Sequence, residues 1–172
     1  PVVLASNATP TDASCNGVCD GQIVISAPTG GTAPYTYNIN GGVFGGASTF
    51  PGLCAGTYNL ITEDDNGCQV LMSNIAINEP TDVTLVEAGT VDATCGASNG
   101  ELTVTAGGGT PNYQYDIGGA QQASNNFTGL AAGNYVVTVT DDNGCTETVN
   151  VTVGSAAGPV PFVDSSAPVT CA

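Results

Sequence analysis

The residues that could do chemistry in this chain are of two kinds, 7 cysteines and 15 carboxylates. The types that usually work beside them are missing, since the 172 residues include no Lys, Arg, His or Trp. Without His there is no Ser-His-Asp triad, no Cys-His dyad and no His-ligated zinc or haem. Without Lys or Arg there is no P-loop lysine, no Schiff base and no cationic footprint for nucleic acid. The formal net charge of -15 is repelled by an anionic membrane surface. No apolar run approaches the roughly 20 residues of a membrane helix, so membrane insertion is not expected. Carboxylate catalysis is the one enzyme class left open. The acids sit mostly in turns and linkers, and no Asp-Thr/Ser-Gly pattern occurs, so the chain does not read as an enzyme.

Acidic and amide oxygens gather at two places, Asp64, Asp65 and Asn66, then Asp141, Asp142 and Asn143, each followed by Gly and Cys. Hard oxygens at hairpin tips suit calcium, which wants about six to eight of them. A two-carboxylate turn supplies only part of that number, and Glu63, Asp12 or Asp92 would have to add the rest. No EF-hand pattern is present. A plain Asx-type turn is the favoured reading; no cofactor is required, and calcium is the one candidate. The cysteines point to an oxidising, extracellular setting. Cys15-x3-Cys19 has tolerable spacing for zinc, but the other cysteines are scattered singly. Carboxylates with no cation to answer them repel one another and weaken the compact state, so covalent staples are needed.

An internal duplication organises these residues. Phe50-Pro-Gly-Leu-Cys-Ala-Gly-Thr-Tyr58 through Asp64-Asp-Asn-Gly-Cys68 returns as Phe127-Thr-Gly-Leu-Ala-Ala-Gly-Asn-Tyr135 through Asp141-Asp-Asn-Gly-Cys145. Upstream, Gly31-Thr-Ala-Pro-Tyr-Thr-Tyr-Asn-Ile39 matches Gly109-Thr-Pro-Asn-Tyr-Gln-Tyr-Asp-Ile117, and Asp12-Ala-Ser-Cys15 matches Asp92-Ala-Thr-Cys95. Val169-Thr-Cys171 starts the pattern again. Apolar residues alternate with period two: Ile23 and Ile25, Tyr37 and Ile39, Leu102 and Val104, Val137 and Val139, Val151 and Val153 each share a face. Gly, Asn and Pro clusters separate the runs, and no helical period is visible. The reading is all-β, with two tandem immunoglobulin-like β-sandwich modules at 1–79 and 80–154. Residues 155–172 form a short C-terminal strand or tail, a linker or donor strand that opens a third repeat. In Leu53-x-Ala-Gly-x-Tyr58 and Leu130-x-Ala-Gly-x-Tyr135 the Tyr opens a strand, which suits a tyrosine corner with its hydroxyl bonded to nearby backbone.

At these residues the chain resembles the SprB-type repeat of Bacteroidetes surface proteins. The likeness runs through a Cys, a Gly-x-hydrophobic strand, Gly-Gly-x-Pro-Tyr-x-Tyr, Leu-x-Ala-Gly-x-Tyr and Asp-x-Asn-Gly-Cys. The second module departs at Pro111-Asn112-Tyr113. The resemblance implies long secreted repeat proteins at the bacterial cell surface, acting as adhesins or filaments, with no catalytic residue to carry over.

Alignment of the two modules pairs Cys95 with Cys145 and Cys15 with Cys68, and leaves Cys19 to Cys54 as a further bridge. Cys171 is the cysteine left over, either for a partner in a following module or for an intermolecular bridge. Two apolar segments, Val2, Val3 and Leu4 and then Val160, Phe162 and Val163, read as assembly strands that a neighbour's sheet edge accepts, or as segments that pack on their own module. The leading reading is an extracellular structural protein assembling head to tail into a cell-surface filament or fibre. Its partners are copies of itself or neighbouring repeats. The alternative is a binding module of a long secreted adhesin that contacts glycans or surfaces.

Overall fold

The structure is a computed structural model and describes residues 2–158. The first repeat holds six strands: β1 (Ala8–Thr11), β2 (Gly21–Ile25), β3 (Thr36–Ile39), β4 (Thr49–Leu53), β5 (Gly56–Glu63) and β6 (Gln69–Ile77). They form two antiparallel sheets, β1-β2-β4 and β3-β5-β6. Ile23 and Ile25 of one sheet meet Tyr37, Leu60 and Ile77 of the other in a buried cluster. This is the β-sandwich that period-two alternation calls for, with one face of each sheet turned inward.

The second repeat runs β7 (Thr84–Val91), β8 (Ala93–Thr94), β9 (Gly100–Gly107), β10 (Gln114–Asp116), β11 (Asn126–Leu130), β12 (Gly133–Thr140), β13 (Thr146–Val153) and β14 (Ser155–Ala156). Its sheets are β11-β9-β7 and β10-β12-β13, with a short parallel pair β14-β8. Leu102, Val104, Val137, Val139, Val151 and Val153 are all buried. Both repeats are all-β, and no helix occurs among the described residues. Glycine opens the equivalent strands β2 and β9 because the space is taken. A Cβ on Gly21 would lie 2.7 Å from Ile77 Cγ2, and one on Gly100 2.6 Å from Val153 Cγ1.

The compact units cut the chain differently from a boundary at 79/80. Among the described residues, one unit takes those up to Thr84 with Gly107–Tyr113 and Thr140–Glu147; the other takes Leu85–Ala106, Gln114–Val139 and those from Thr148 onward. Two loops of the second repeat therefore belong to the first unit. The physical reason lies in the bonds those loops make, described below. The tail begins as β14 on its own repeat; Val160, Phe162, Val163 and Cys171 lie outside the described residues.

The N-terminal segment packs on its own repeat, the second of the two readings given for it. Leu4 is buried, Val2 O accepts the Gly31 N–H at 3.2 Å, and Ala5 pairs with Thr29. These bonds and the burial of Leu4 hold the segment on its own repeat. The side chains of Val2 and Val3 remain exposed.

Both tyrosine corners form. Tyr58 donates its hydroxyl to Cys54 O at 2.8 Å and Tyr135 to Ala131 O at 2.9 Å. Each bond ties the start of the strand after Leu-x-Ala-Gly to the turn before it. Tyr58→Phe and Tyr135→Phe should each cost about 1 kcal/mol of stability. Denaturant melts should show this with the far-ultraviolet circular dichroism spectrum unchanged.

Candidate functional site

The Asp-Asp-Asn-Gly-Cys motif forms the same corner in both repeats. In the first, Asp64 N donates to Cys68 O at 3.0 Å, Gly67 N donates to Asp64 O at 2.9 Å, and Gly67 takes φ +78. This is a type I turn closed by a left-handed glycine, so the positive φ falls on Gly67. The second hairpin repeats it, with Asp141 N to Cys145 O at 2.9 Å, Gly144 N to Asp141 O at 3.1 Å and φ +85 at Gly144.

Asp64 is buried and holds the corner with three backbone donors. Its Oδ1 accepts from Asn66 N at 3.0 Å and Cys68 N at 2.8 Å, and its Oδ2 from Thr32 N at 2.9 Å. Asp141 accepts the same set, from Asn143 N at 3.0 Å, Cys145 N at 2.8 Å and Thr110 N at 2.7 Å. The Cys68 N–H, with those of Thr32 and Asn66, holds the Asp64 carboxyl below the usual carboxylate range, against the opposing push of burial. The glycine pair beside each Asp is required by close approach. A Cβ on Gly30 would sit 2.2 Å from Val3 O, and one on Gly108 1.8 Å from Asp82 O. A second tyrosine closes each corner, Tyr35 OH on Gly30 O at 2.7 Å and Tyr113 OH on Gly108 O at 2.6 Å. The sequence reading did not assign these two hydroxyls. Their signal was the fixed Gly-Gly to Tyr spacing in both repeats. Where the second repeat departs at Pro111-Asn112, Asn112 takes φ +95.

The carboxylates are used by the backbone at both corners. Three N–H donors already occupy each buried Asp. Among the described residues no group of three or more His, Cys, Asp or Glu is placed to hold a metal ion. Asp12 cannot complete such a set, because it accepts from Asn78 N at 2.8 Å, just past the C-terminal end of β6. Asp64 lies by Cys68 at the other end of that nine-residue strand.

The cysteines depart from expectation in the same way. Cys19 pairs with Cys54, as read from the sequence. The expected Cys15–Cys68 and Cys95–Cys145 bridges are absent; Cys15 bonds Cys145 instead, with Cα atoms 5.8 Å apart. Cys68 and Cys95 are free and exposed. Strand length is the reason. Ala13 N bonds Asn78 O, so Cys15 sits at the end of β6, whereas Cys68 precedes its start. At roughly 3.3 Å per residue the strand holds them far beyond the ~4.4–6.8 Å that a disulfide spans. Likewise Ala93 N bonds Gly154 O, past the end of β13, while Cys145 precedes it.

Around the Cys15–Cys145 bond, Asn143 Nδ2 donates to Ser14 O and to Thr110 Oγ1, each at 3.0 Å. Asn16 Nδ2 donates to Pro80 O at 3.2 Å, and Gly17 N to Glu79 Oε2 at 2.7 Å. Ser14 N donates to Asp20 Oδ1 at 2.9 Å and shapes the cysteine loop. The disulfide and the Asn143–Ser14 bond fasten a loop of the first repeat to the hairpin of the second. The bond closes 130 residues of sequence. By chain entropy such a closure contributes about 5 kcal/mol.

The Asp64 clamp carries a pH signature. A depressed carboxyl stabilises fully above its ordinary value of 3.8 and loses that contribution as pH falls through its folded value. Asp64→Asn should lower the melting temperature at pH 6 and narrow its gap to the wild type as pH falls toward 2. Thermal melts across that range check the sign.

Comparison with known proteins places this architecture. Three N-terminal domains of the bacteriophage RB49 Highly Immunogenic Outer Capsid protein share the fold at TM-score 0.53 and 12% identity, over 89% of this chain and 59% of that one. The chain thus spans less than two thirds of that structure. A C-terminal 282-residue fragment of intimin, solved with the intimin-binding domain of its translocated receptor, gives TM-score 0.47 and 14% identity, over 89% of this chain and 64% of that one. Fibronectin(III)-like modules of Clostridium thermocellum CbhA give TM-score 0.35 and 14% identity, over 87% and 95%. No curated protein matches the chain. Residues 7–44 and 88–122 match the SprB repeat, one stretch in each of the two duplicated modules.

Proposed function

We propose that this chain is an extracellular structural repeat protein that assembles head to tail into a filament or fibre at the cell surface. The observation that carries the reading is the Cys15–Cys145 bond, which locks one repeat to the hairpin of the following repeat. A module that acts alone needs no such link, whereas a tandem array under tension gains from it. The SprB match supports a surface location, and two disulfides suit an oxidising compartment. The partners are further copies or repeats of this same pattern. The work is mechanical, and the residues that perform it are the cystines and the corners that aim them.

Negative-stain electron microscopy of the oxidised full chain should show ordered filaments that form without added ligand. Isolated particles at all concentrations would overturn the reading. A pulling experiment tests the mechanical role separately. Stretched from its ends, the oxidised chain should withhold the 130-residue segment between Cys15 and Cys145. That segment corresponds to about 450 Å of contour at ~3.5 Å per residue, and it should be released only after reduction.

A further inference from the structure

We propose that Cys68 and Cys95 are the two halves of a disulfide joint between copies of this chain, the Cys95 of one copy bonding the Cys68 of the next. The proposal rests on the head-to-tail reading and names its joint.

The geometry comes from the bond already formed. Cys15 and Cys95 occupy equivalent places. Each lies two residues after an alanine whose N–H bonds the residue just past the last long strand of its repeat, Ala13 to Asn78 O and Ala93 to Gly154 O, both at 2.9 Å. Cys145 and Cys68 are equivalent too, each with its N–H on the clamping Asp at 2.8 Å. The Cys15–Cys145 bond therefore follows a rule in which the leading cysteine of a repeat bonds the hairpin cysteine of the following repeat. By that rule Cys95 needs a hairpin cysteine from a repeat after the second. Cys68 needs a leading cysteine from a repeat ahead of the first. A second copy offers both, and both thiols are exposed.

The surroundings of the two hairpin cysteines agree. Beside Cys145 the space lined by Thr81, Asp82 and Val83 also holds Cys15, Asn16 and Val18. Beside Cys68 the equivalent residues Val2, Val3 and Leu4 line an open cleft of about 420 Å³, with Thr32 and Asn66. Asn143 gives one amide N–H to Thr110 and the other to the carbonyl of Ser14. Asn66 gives one to Thr32 Oγ1 at 2.7 Å, and its second has no acceptor among the described residues. The cleft thus has the vacancy, the donor and the thiol that the Cys15 loop satisfies at the other corner. The occupant it fits is the Thr94-Cys95 segment of another copy, Thr94 being the residue equivalent to Ser14. A contact of this kind joins two different surfaces, so it propagates and does not close on itself.

The covalent step needs a small-molecule disulfide as oxidant. The Cys68 thiolate attacks one of its sulfurs, forming a mixed disulfide and releasing a thiolate. The Cys95 thiolate of the next copy then attacks the protein sulfur of that mixed disulfide and expels the second thiolate. The two protons from the protein thiols end on the two released thiols, and one protein disulfide has formed.

The test uses the full chain carrying Cys171→Ser, incubated with oxidised glutathione and run without reductant. A ladder of covalent multimers should appear. Chymotryptic peptides should contain Cys68 linked to Cys95, with Cys15–Cys145 and Cys19–Cys54 intact. Cys68→Ser and Cys95→Ser, each added singly, should leave only monomer, and an equal mixture of the two should yield a dimer and nothing larger. Circular dichroism of both variants checks that they fold. A ladder that persists in either single variant, or a mixture that stays monomeric, would overturn the joint. Microscopy of the same samples separates the two claims. Filaments without Cys68–Cys95 peptides defeat the joint and leave the filament reading standing; linked multimers with no ordered filaments do the reverse.

Discussion

A buried carboxylate in a chain with no cationic side chain has to be held by neutral donors, and at both corners of this structure those donors are backbone N–H groups. Asp64 and Asp141 each gather three such donors, from a hairpin and from the Gly-Gly-Thr turn across the corner. Charged acceptors make these bonds stronger than neutral pairs. They fix where the hairpin points and therefore where its cysteine points. The glycine pair, the left-handed glycine of the turn and the tyrosine hydroxyl on the glycine carbonyl follow from bringing those two backbone segments close enough to share one carboxylate.

The second consequence of the composition is that no side-chain ion pair can offset 15 acidic groups. Hydrophobic burial in three-stranded sheets and cross-links that restrict the unfolded chain carry that task. Cys19–Cys54 acts within the first repeat. Cys15–Cys145 acts across the sequence repeats, so the stability of the second hairpin depends on a loop of the first repeat.

Much of this was legible in the residues. Period-two alternation located the buried faces, and Leu-x-Ala-Gly-x-Tyr located both tyrosine corners, because strand periodicity and corner hydrogen bonds are local properties. The Asp-Asp-Asn-Gly-Cys motif was visible as a turn. The pairing of Cys15 and Cys145 was not visible. Aligning the modules assumes that each is closed on itself, and nothing in the spacing tells which end of a strand a cysteine occupies. Residues equivalent by alignment were paired within a module although β6 and β13 hold them a full strand length apart.

Composition and alternation act residue by residue, and they suffice to make the chain all-β and twice repeated, to exclude cationic chemistry and to set the inward face of each strand. Only the tertiary structure decided what the carboxylates bind, which cysteines meet, and that Leu4 packs on its own repeat. Those outcomes depend on segments distant in sequence converging at one corner, and a disulfide or a shared carboxylate forms only between groups that the folded backbone brings within a few ångströms.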